Sequence, residues 1–270
     1  MKINWFPGHM KKALDEMKIQ LVKVDVVIYV LDSRAPLSSI NPSLSSLAAD
    51  KKILYVFNKI DLADEKRIAE LAPRFKGANC DYIILNSTMS GAGNKIKAKL
   101  NALASDKIKK YAAKGVKTTV RAMVVGVPNS GKSTLVNNLC GKAKAVTGNR
   151  AGVTKTTQWL GIGDNVELCD TPGTLYPNLA DQEVAKKLAF VGSIKEEVVD
   201  STELGYELVQ TLVKTYPEEF NARYGGKVTL EDIATYRGFM LGGGVPDEDR
   251  AALAVIDDFR KGRIGRITLD

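Results

Sequence analysis

Residues 126–133 read Gly-Val-Pro-Asn-Ser-Gly-Lys-Ser, a spacing of glycines, lysine and hydroxyl suited to holding a run of phosphates. Glycines at both ends let backbone N–H groups wrap the α- and β-phosphates, Lys132 reaches the β- and γ-oxygens, and the Ser133 hydroxyl is placed to ligate Mg2+. Asn129, Ser130, Gly131 and Thr134 complete the expected cradle. Residues 170–173, Asp-Thr-Pro-Gly, add a carboxylate at Asp170 that can hold the Mg2+ shell through water, and a Gly173 N–H for the γ-phosphate. Between the two motifs, Gly152-Val153-Thr154 offers Thr154 as a further metal ligand, with Thr156 and Thr157 as rivals. Lys132 and Gly173 are thus the groups expected to stabilise charge in phosphoryl transfer.

Residues 58–61, Asn-Lys-Ile-Asp, stand at the end of an apolar run and suit a base-reading loop. A carboxylate at Asp61 can accept from both the N1–H and the 2-amino group of guanine. Adenine offers an acceptor at N1 and no 2-amino group, so it would leave that carboxylate unpaired. Lys59 is expected to lay its stem along the base and Asn58 to brace the loops, while Ser87-Thr88 could present backbone N–H to the guanine O6. The base-reading string precedes the phosphate cradle, whereas ordinary GTPases have the reverse order. A circularly permuted domain follows, with the γ-phosphate-sensing segment 170–173 last and leading into the remaining chain.

The elements that must position these groups are legible as apolar, β-branched runs at 26–31, 53–57, 82–85, 120–125 and 166–169, each ending in a polar motif, with helical segments between the earlier ones. A helix is expected from Leu135. This alternation predicts an α/β fold: a permuted P-loop GTPase domain with a doubly wound, mostly parallel sheet, whose ligand lies beyond the carboxyl ends of its strands. The lysine-rich stretch 95–117 reads as an exposed helix and linker closing the permutation. After Tyr176 the pattern becomes helical, with 203–216 stopped by Pro217 and a last helix over 247–260 after a Gly-Gly-Gly break. The expected division is a GTPase domain over 1–176 and a small all-helical domain over 177–270.

The 270 residues suffice for two cores. Residues 1–177 hold 27 Lys/Arg against 14 Asp/Glu, and residues 178–270 hold 12 against 17, so the basic surface belongs mainly to the first part. The lysines of 95–117 read either as a solvated face or as a polyanion-facing one, and a second basic cluster spans 260–266. Cys80, Cys140 and Cys169 are too scattered for a disulfide framework or a zinc site. No apolar stretch approaches the ~18 residues of a membrane span and no signal peptide is evident, so a cytoplasmic location without membrane association is expected.

The order of motifs, the cradle sequence, Gly-Val-Thr at 152–154, Asp-Thr-Pro-Gly at 170–173 and the amino-terminal Trp-Phe-Pro-Gly-His-Met at 5–10 resemble the circularly permuted bacterial GTPases of the YlqF/YawG group, over nearly the whole chain. The resemblance implies GTP as substrate and GDP as product, with Mg2+, and a role in late maturation of the large ribosomal subunit. The implied partners are that subunit or its precursor, with its rRNA and ribosomal proteins; the helical domain helps bind rRNA, and the protein acts as a monomer released on GTP hydrolysis. A glutamine usually follows the glycine of the Asp-x-x-Gly motif to orient water. Here Thr174 stands there, a departure also from the aliphatic residue typical of the group, so its hydroxyl stays open as a participant. His9, the sole histidine, would on residue type alone read as a surface or capping residue; the resemblance makes it the candidate that orients the attacking water. Asn129 sits where potassium-dependent relatives place an asparagine, which adds K+ as a candidate cation. Two other classes compete: a nucleotide-gated protein-binding switch with negligible hydrolysis, and an ATP-dependent kinase or ATPase, which Asp61 disfavours.

Overall fold

The computed structural model describes residues 8–141, 158–163, 165–171 and 181–270. Its elements run α1 (Gly8–Leu21), β1 (Val26–Asp32), α2 (Pro42–Leu47), β2 (Lys52–Asn58), α3 (Glu65–Leu71), β3 (Cys80–Ile84), α4 (Ala92–Leu103), α5 (Ser105–Ala112), β4 (Val120–Val125), α6 (Lys132–Cys140), β5 (Gln158–Gly161) and β6 (Val166–Asp170). Helices α7 (Gln182–Phe190), α8 (Ser201–Thr215), α9 (Pro217–Tyr224), α10 (Leu230–Arg237) and α11 (Glu248–Arg260) follow.

The strands form one sheet in the order β3-β2-β1-β4-β6-β5, parallel throughout except between β5 and β6. Every residue of β1 is buried, as an unbroken Val/Ile/Leu-rich run must be when a central strand is covered on both faces. Successive side chains point to opposite faces. Val26, Ile28 and Val30 therefore pack with Ile96 and Leu100 of α4 and Leu135 and Leu139 of α6. Val27, Tyr29 and Leu31 pack with Met17 of α1, Leu44 of α2 and Ile68 of α3. A third core joins α7 through α11, and in it Gly205 of α8 lies so close to Ala252 of α11 that a Cβ there would come within 2.5 Å.

All five sequence-predicted strands are present. The sixth, β5, was not anticipated, because four residues at a sheet edge are too few to show a period. The stretch 95–117 is not simply an exposed connection. Its lysines alternate with Ile96 and Leu100, both fully buried, so α4 is a core helix and the permutation's link runs through α5 and the strand-free residues before β4. Lys99 and Lys107 are also paired, with Asp81 and Asp25, while Lys95, Lys109, Lys110, Lys114 and Lys117 remain exposed. Among the described residues, no helix is long and apolar enough to cross a membrane.

Candidate nucleotide site

Parallel register brings the strand ends to one edge: Asp32 pairs across to Asn58, and Val124 to Asp170. The chain winds from β1 towards β2 and β3, and from β4 towards β6, so the order reverses between β1 and β4. That reversal opens the crevice in which doubly wound sheets hold ligands. The loop 126–133 leaves β4 at this point.

The loop's shape depends on its glycines. Gly126 has φ +147°, and a Cβ on it would lie 2.4 Å from the Val30 carbonyl oxygen; Gly131 has φ +96°, and its Cβ would lie 2.2 Å from Asn58 Nδ2. Only glycine permits both the conformation and the approach. As N-cap of α6, Gly131 has no side chain to satisfy the helix's first N–H groups, which leaves the positive end of α6 facing the crevice. Asn129 adopts φ +60° beside it.

Asn58 joins three loops. Its Nδ2 donates to the Ser130 carbonyl at 2.8 Å, and its Oδ1 accepts from the Ser87 N–H at 2.9 Å and from the Ser87 hydroxyl. Lys59, in the left-handed region at φ 60°, donates from Nζ to the Asn129 carbonyl and to Asp32 at 2.9 Å. Asp61 is exposed at the mouth. The Ser87 N–H is thus committed to Asn58, which makes Ser87 a brace. The exposed Thr88 donates its N–H to Asn86 Oδ1 at 2.9 Å.

Lys132 is 6% exposed and donates to the Val127 carbonyl at 2.8 Å. Burial pulls its ammonium down to about 8, with Asp170 opposing the shift and Lys59 adding to it. Asp170 is fully buried, and neither of its carboxylate oxygens has a hydrogen-bond partner among the described residues. Burial raises its carboxyl above the ordinary range, with the nearby Lys132 opposing the shift. An orphaned buried carboxylate is costly unless a ligand satisfies it, and a hydrated divalent cation suits it. Thr171 anchors the chain after β6 by donating from Oγ1 to the Val124 carbonyl at 2.6 Å. Ser133 and Thr134 lie half-buried in the first turn of α6. Thr154, Thr156, Thr157, Gly173 and Thr174 fall outside the described residues, and for His9 only the backbone is described, in the first turn of α1.

The helical region seats directly on this site. Ser193 Oγ donates to the Pro128 carbonyl at 2.8 Å, and Asn129 Nδ2 donates to the Val191 carbonyl at 3.5 Å. Residues 267–269 run beside the turn after Lys59, with Ile267 N–H on the Leu62 carbonyl at 3.1 Å and the Asp64 N–H on Thr268 Oγ1 at 3.2 Å. Each basic residue of the cluster 260–266 has a partner. Arg260 donates to the Ala189 and Phe190 carbonyls, Lys261 and Arg263 pair with Asp257, Arg263 also reaches Asp258, and Arg266 pairs with Glu65. Lys261, Arg263 and Arg266 make these pairs from side chains that stay about half exposed, so the cluster remains at the surface. Asp32 and Arg34, which the motif reading passed over, sit fully buried beside Lys59. Their only trace in the sequence is a carboxylate and a guanidinium two residues apart at the end of an apolar strand.

Compared with known proteins, the chain is 37% identical over its full length to the ribosome biogenesis GTPase A of Bacillus cereus, covering 94% of that protein. It belongs to the ribosome biogenesis GTPase A family. A GDP-bound structure of TM YlqF matches with a TM-score of 0.66 at 28% identity, covering 94% of this chain and 98% of that one. A GNP-bound crystal structure of YlqF from T. maritima matches with a TM-score of 0.65 at 28% identity, over 96% and 97% of the two chains. The 50S ribosome-binding GTPase family matches residues 121–221. That segment opens in β4 and closes in α9, so it takes in the phosphate cradle and Asp170 but omits Asn58 to Asp61. In this member of the ribosome biogenesis GTPase A family, Asn58 to Asp61 lie ahead of that segment.

Proposed function

We propose that the chain binds and hydrolyses GTP and serves as an assembly factor for the large ribosomal subunit, leaving its particle after hydrolysis. The observation that carries this reading is the clasp between two motifs far apart in sequence: Asn58 on the Ser130 carbonyl at 2.8 Å and Lys59 on the Asn129 carbonyl. A base-reading loop and a phosphate cradle so joined fit one purine nucleotide. Asp61 at the mouth supplies guanine selectivity. Lys132 and the α6 terminus stabilise phosphate charge.

Ser133 and Thr154 directly, and Asp170 through water, are the groups that would hold Mg2+, which would neutralise phosphate charge. Asn129 commits its amide nitrogen to Val191, which leaves its amide oxygen as the donor suited to K+. Gly173 senses the γ-phosphate, and the chain beyond it passes that state to a helical domain over 177–270. The partner is the large subunit or its precursor, met by the exposed lysines of α4, α5 and the residues before β4 in a cytoplasmic monomer.

The test is GTP turnover and particle binding with purified large subunits. Slow intrinsic hydrolysis accelerated by the particle is expected, with binding stronger with a GTP analogue than with GDP and falling steeply as salt rises. ATP competing as well as GTP would overturn the reading. Analogue-dependent particle binding without accelerated hydrolysis would support a gated binding module instead.

His9 is assigned the water-orienting role. His9→Ala should lower particle-stimulated turnover by roughly 100-fold, within the usual range for a general acid–base group, while GDP affinity stays unchanged. Turnover at the parent rate would remove His9 from the mechanism.

A further inference from the structure

Asp32 and Arg34, which the chemistry above leaves unused, form an ionic cluster with Lys59. Asp32 is fully buried and Arg34 is 2% exposed. Arg34 holds the carboxylate in a fork, from Nε to Oδ1 at 2.9 Å and from Nη2 to Oδ2 at 2.7 Å, and its own N–H adds a third bond at 3.1 Å. Lys59 Nζ takes the remaining approach to Oδ2 at 2.9 Å. Burial alone would raise the Asp32 carboxyl, but Arg34 and Lys59 more than offset it and hold the group ionised, well below the usual carboxylate range.

The guanidinium has donors left over, and it spends them on the helical region. Nη1 donates to the Arg260 carbonyl at 3.2 Å and Nη2 to the Val191 carbonyl at 3.3 Å, with the Phe259 ring centroid 5.6 Å from its central carbon. Val191 follows α7, the first described helix after Asp170, and Arg260 ends α11. The Val191 carbonyl also receives Asn129 of the phosphate cradle. A planar five-donor group is the one side chain able to make these bonds at once. One buried guanidinium therefore sets the carboxylate that sets Lys59, and the same group grips the ends of two helices.

We propose that Arg34 is a positioning residue that couples occupancy of the base-reading loop to the seating of α7 and α11 on the nucleotide domain. The inference rests on the guanine-nucleotide reading above. When a base lies against Lys59, the ammonium is fixed, Asp32 and Arg34 are fixed with it, and the Val191 and Arg260 carbonyls gain a rigid partner. With the base absent the cluster loosens and so does the seat of the helices.

Hydrogen exchange of the full chain with and without saturating GDP tests this. In the parent, GDP should slow exchange at 126–133 by direct contact and at 259–264 through the Arg34 contacts. In Arg34→Lys a single ammonium keeps the charge beside Asp32 but cannot also reach both carbonyls. GDP should still protect 126–133, the GDP-linked change at 259–264 should disappear, and GDP affinity should fall about tenfold, as for one lost buried charge-assisted bond. Lys59→Met cuts the relay at its other end without disturbing the guanidinium, and at saturating GDP the same loss at 259–264 is expected. Full GDP-linked protection at 259–264 in either variant, or none in a parent that protects 126–133, overturns the coupling. A parent in which GDP fails to protect 126–133 refutes the nucleotide reading instead.

Discussion

Asp61→Asn should abolish guanine preference and create a preference for xanthine nucleotides. Asp61 lies exposed in the short turn after Lys59, and no hydrogen bond to its carboxylate is seen among the described residues, so the substitution leaves the surrounding packing untouched. In the proposed pose, the parent's carboxylate accepts from the N1–H and 2-amino donors of guanine. The asparagine keeps one acceptor and turns the other into a donor, which then faces the guanine amino group. Losing two charge-assisted hydrogen bonds, each worth about 1.5–3 kcal/mol, should weaken GDP binding by roughly 10²- to 10⁴-fold. Xanthine replaces the 2-amino group with a carbonyl and restores the second bond. Titration of GDP and XDP against parent and variant reads both effects. A variant that still favours GDP would place the base somewhere other than at Asp61.

The parts of this site that were legible in the sequence are those whose function constrains neighbouring residues. Residues 126–133 need glycine where a Cβ would strike Val30 or Asn58, and that requirement is written in one short stretch. Parallel strands buried on both faces leave continuous apolar runs, so five of six strands and the edge they share could be read directly. Arg34 was not legible, because its partners Val191 and Arg260 are 157 and 226 residues away and accept through backbone carbonyls that carry no residue identity.

Charge was the least readable feature, because a lysine or arginine looks the same whether it faces solvent, RNA or an aspartate. At 260–266 Arg263 pairs within the helical region and Arg266 reaches across to α3, both from the surface. At 95–99 the lysines flank Ile96 and so disguise a core helix. By contrast, Lys95, Lys109, Lys110, Lys114 and Lys117 stay exposed on one connected stretch of chain. That stretch should carry much of the salt dependence of particle binding.

Nucleotide affinity should fall as the pH rises through about 8, while the nucleotide-free protein gains stability over the same span. Both follow from Lys132, whose ammonium burial draws from the ordinary 10.5 to about 8. Below about 8 the folded protein carries a charged lysine that it would rather release. Between about 8 and 10.5 the unfolded chain binds more protons than the folded one, so the sign of the linkage makes stability increase with pH. The drop from 10.5 to about 8 corresponds to roughly 3 kcal/mol when complete. Phosphate oxygens reverse the preference, because only the protonated lysine binds them, and the complex holds the proton that the free protein gives up. GDP affinity should therefore be level below pH 8 and lose up to about tenfold per pH unit above it, until the bound lysine itself titrates. Lys132→Met should remove both dependences. It should also weaken GDP binding at pH 7 by roughly 10²- to 10³-fold, the loss expected for charge-assisted bonds to two phosphate oxygens. Thermal denaturation and GDP titration of parent and variant from pH 7 to 9 separate this lysine from every other titrating group, since all the others are common to both proteins. The buried charge that weakens the free fold is the one proposed to bind phosphate, and the Asp170 carboxylate beside it lacks a hydrogen-bond partner among the described residues. Phosphate would satisfy the buried ammonium and a hydrated cation the buried carboxylate, so GDP should raise the melting temperature more in the presence of Mg2+ than in its absence.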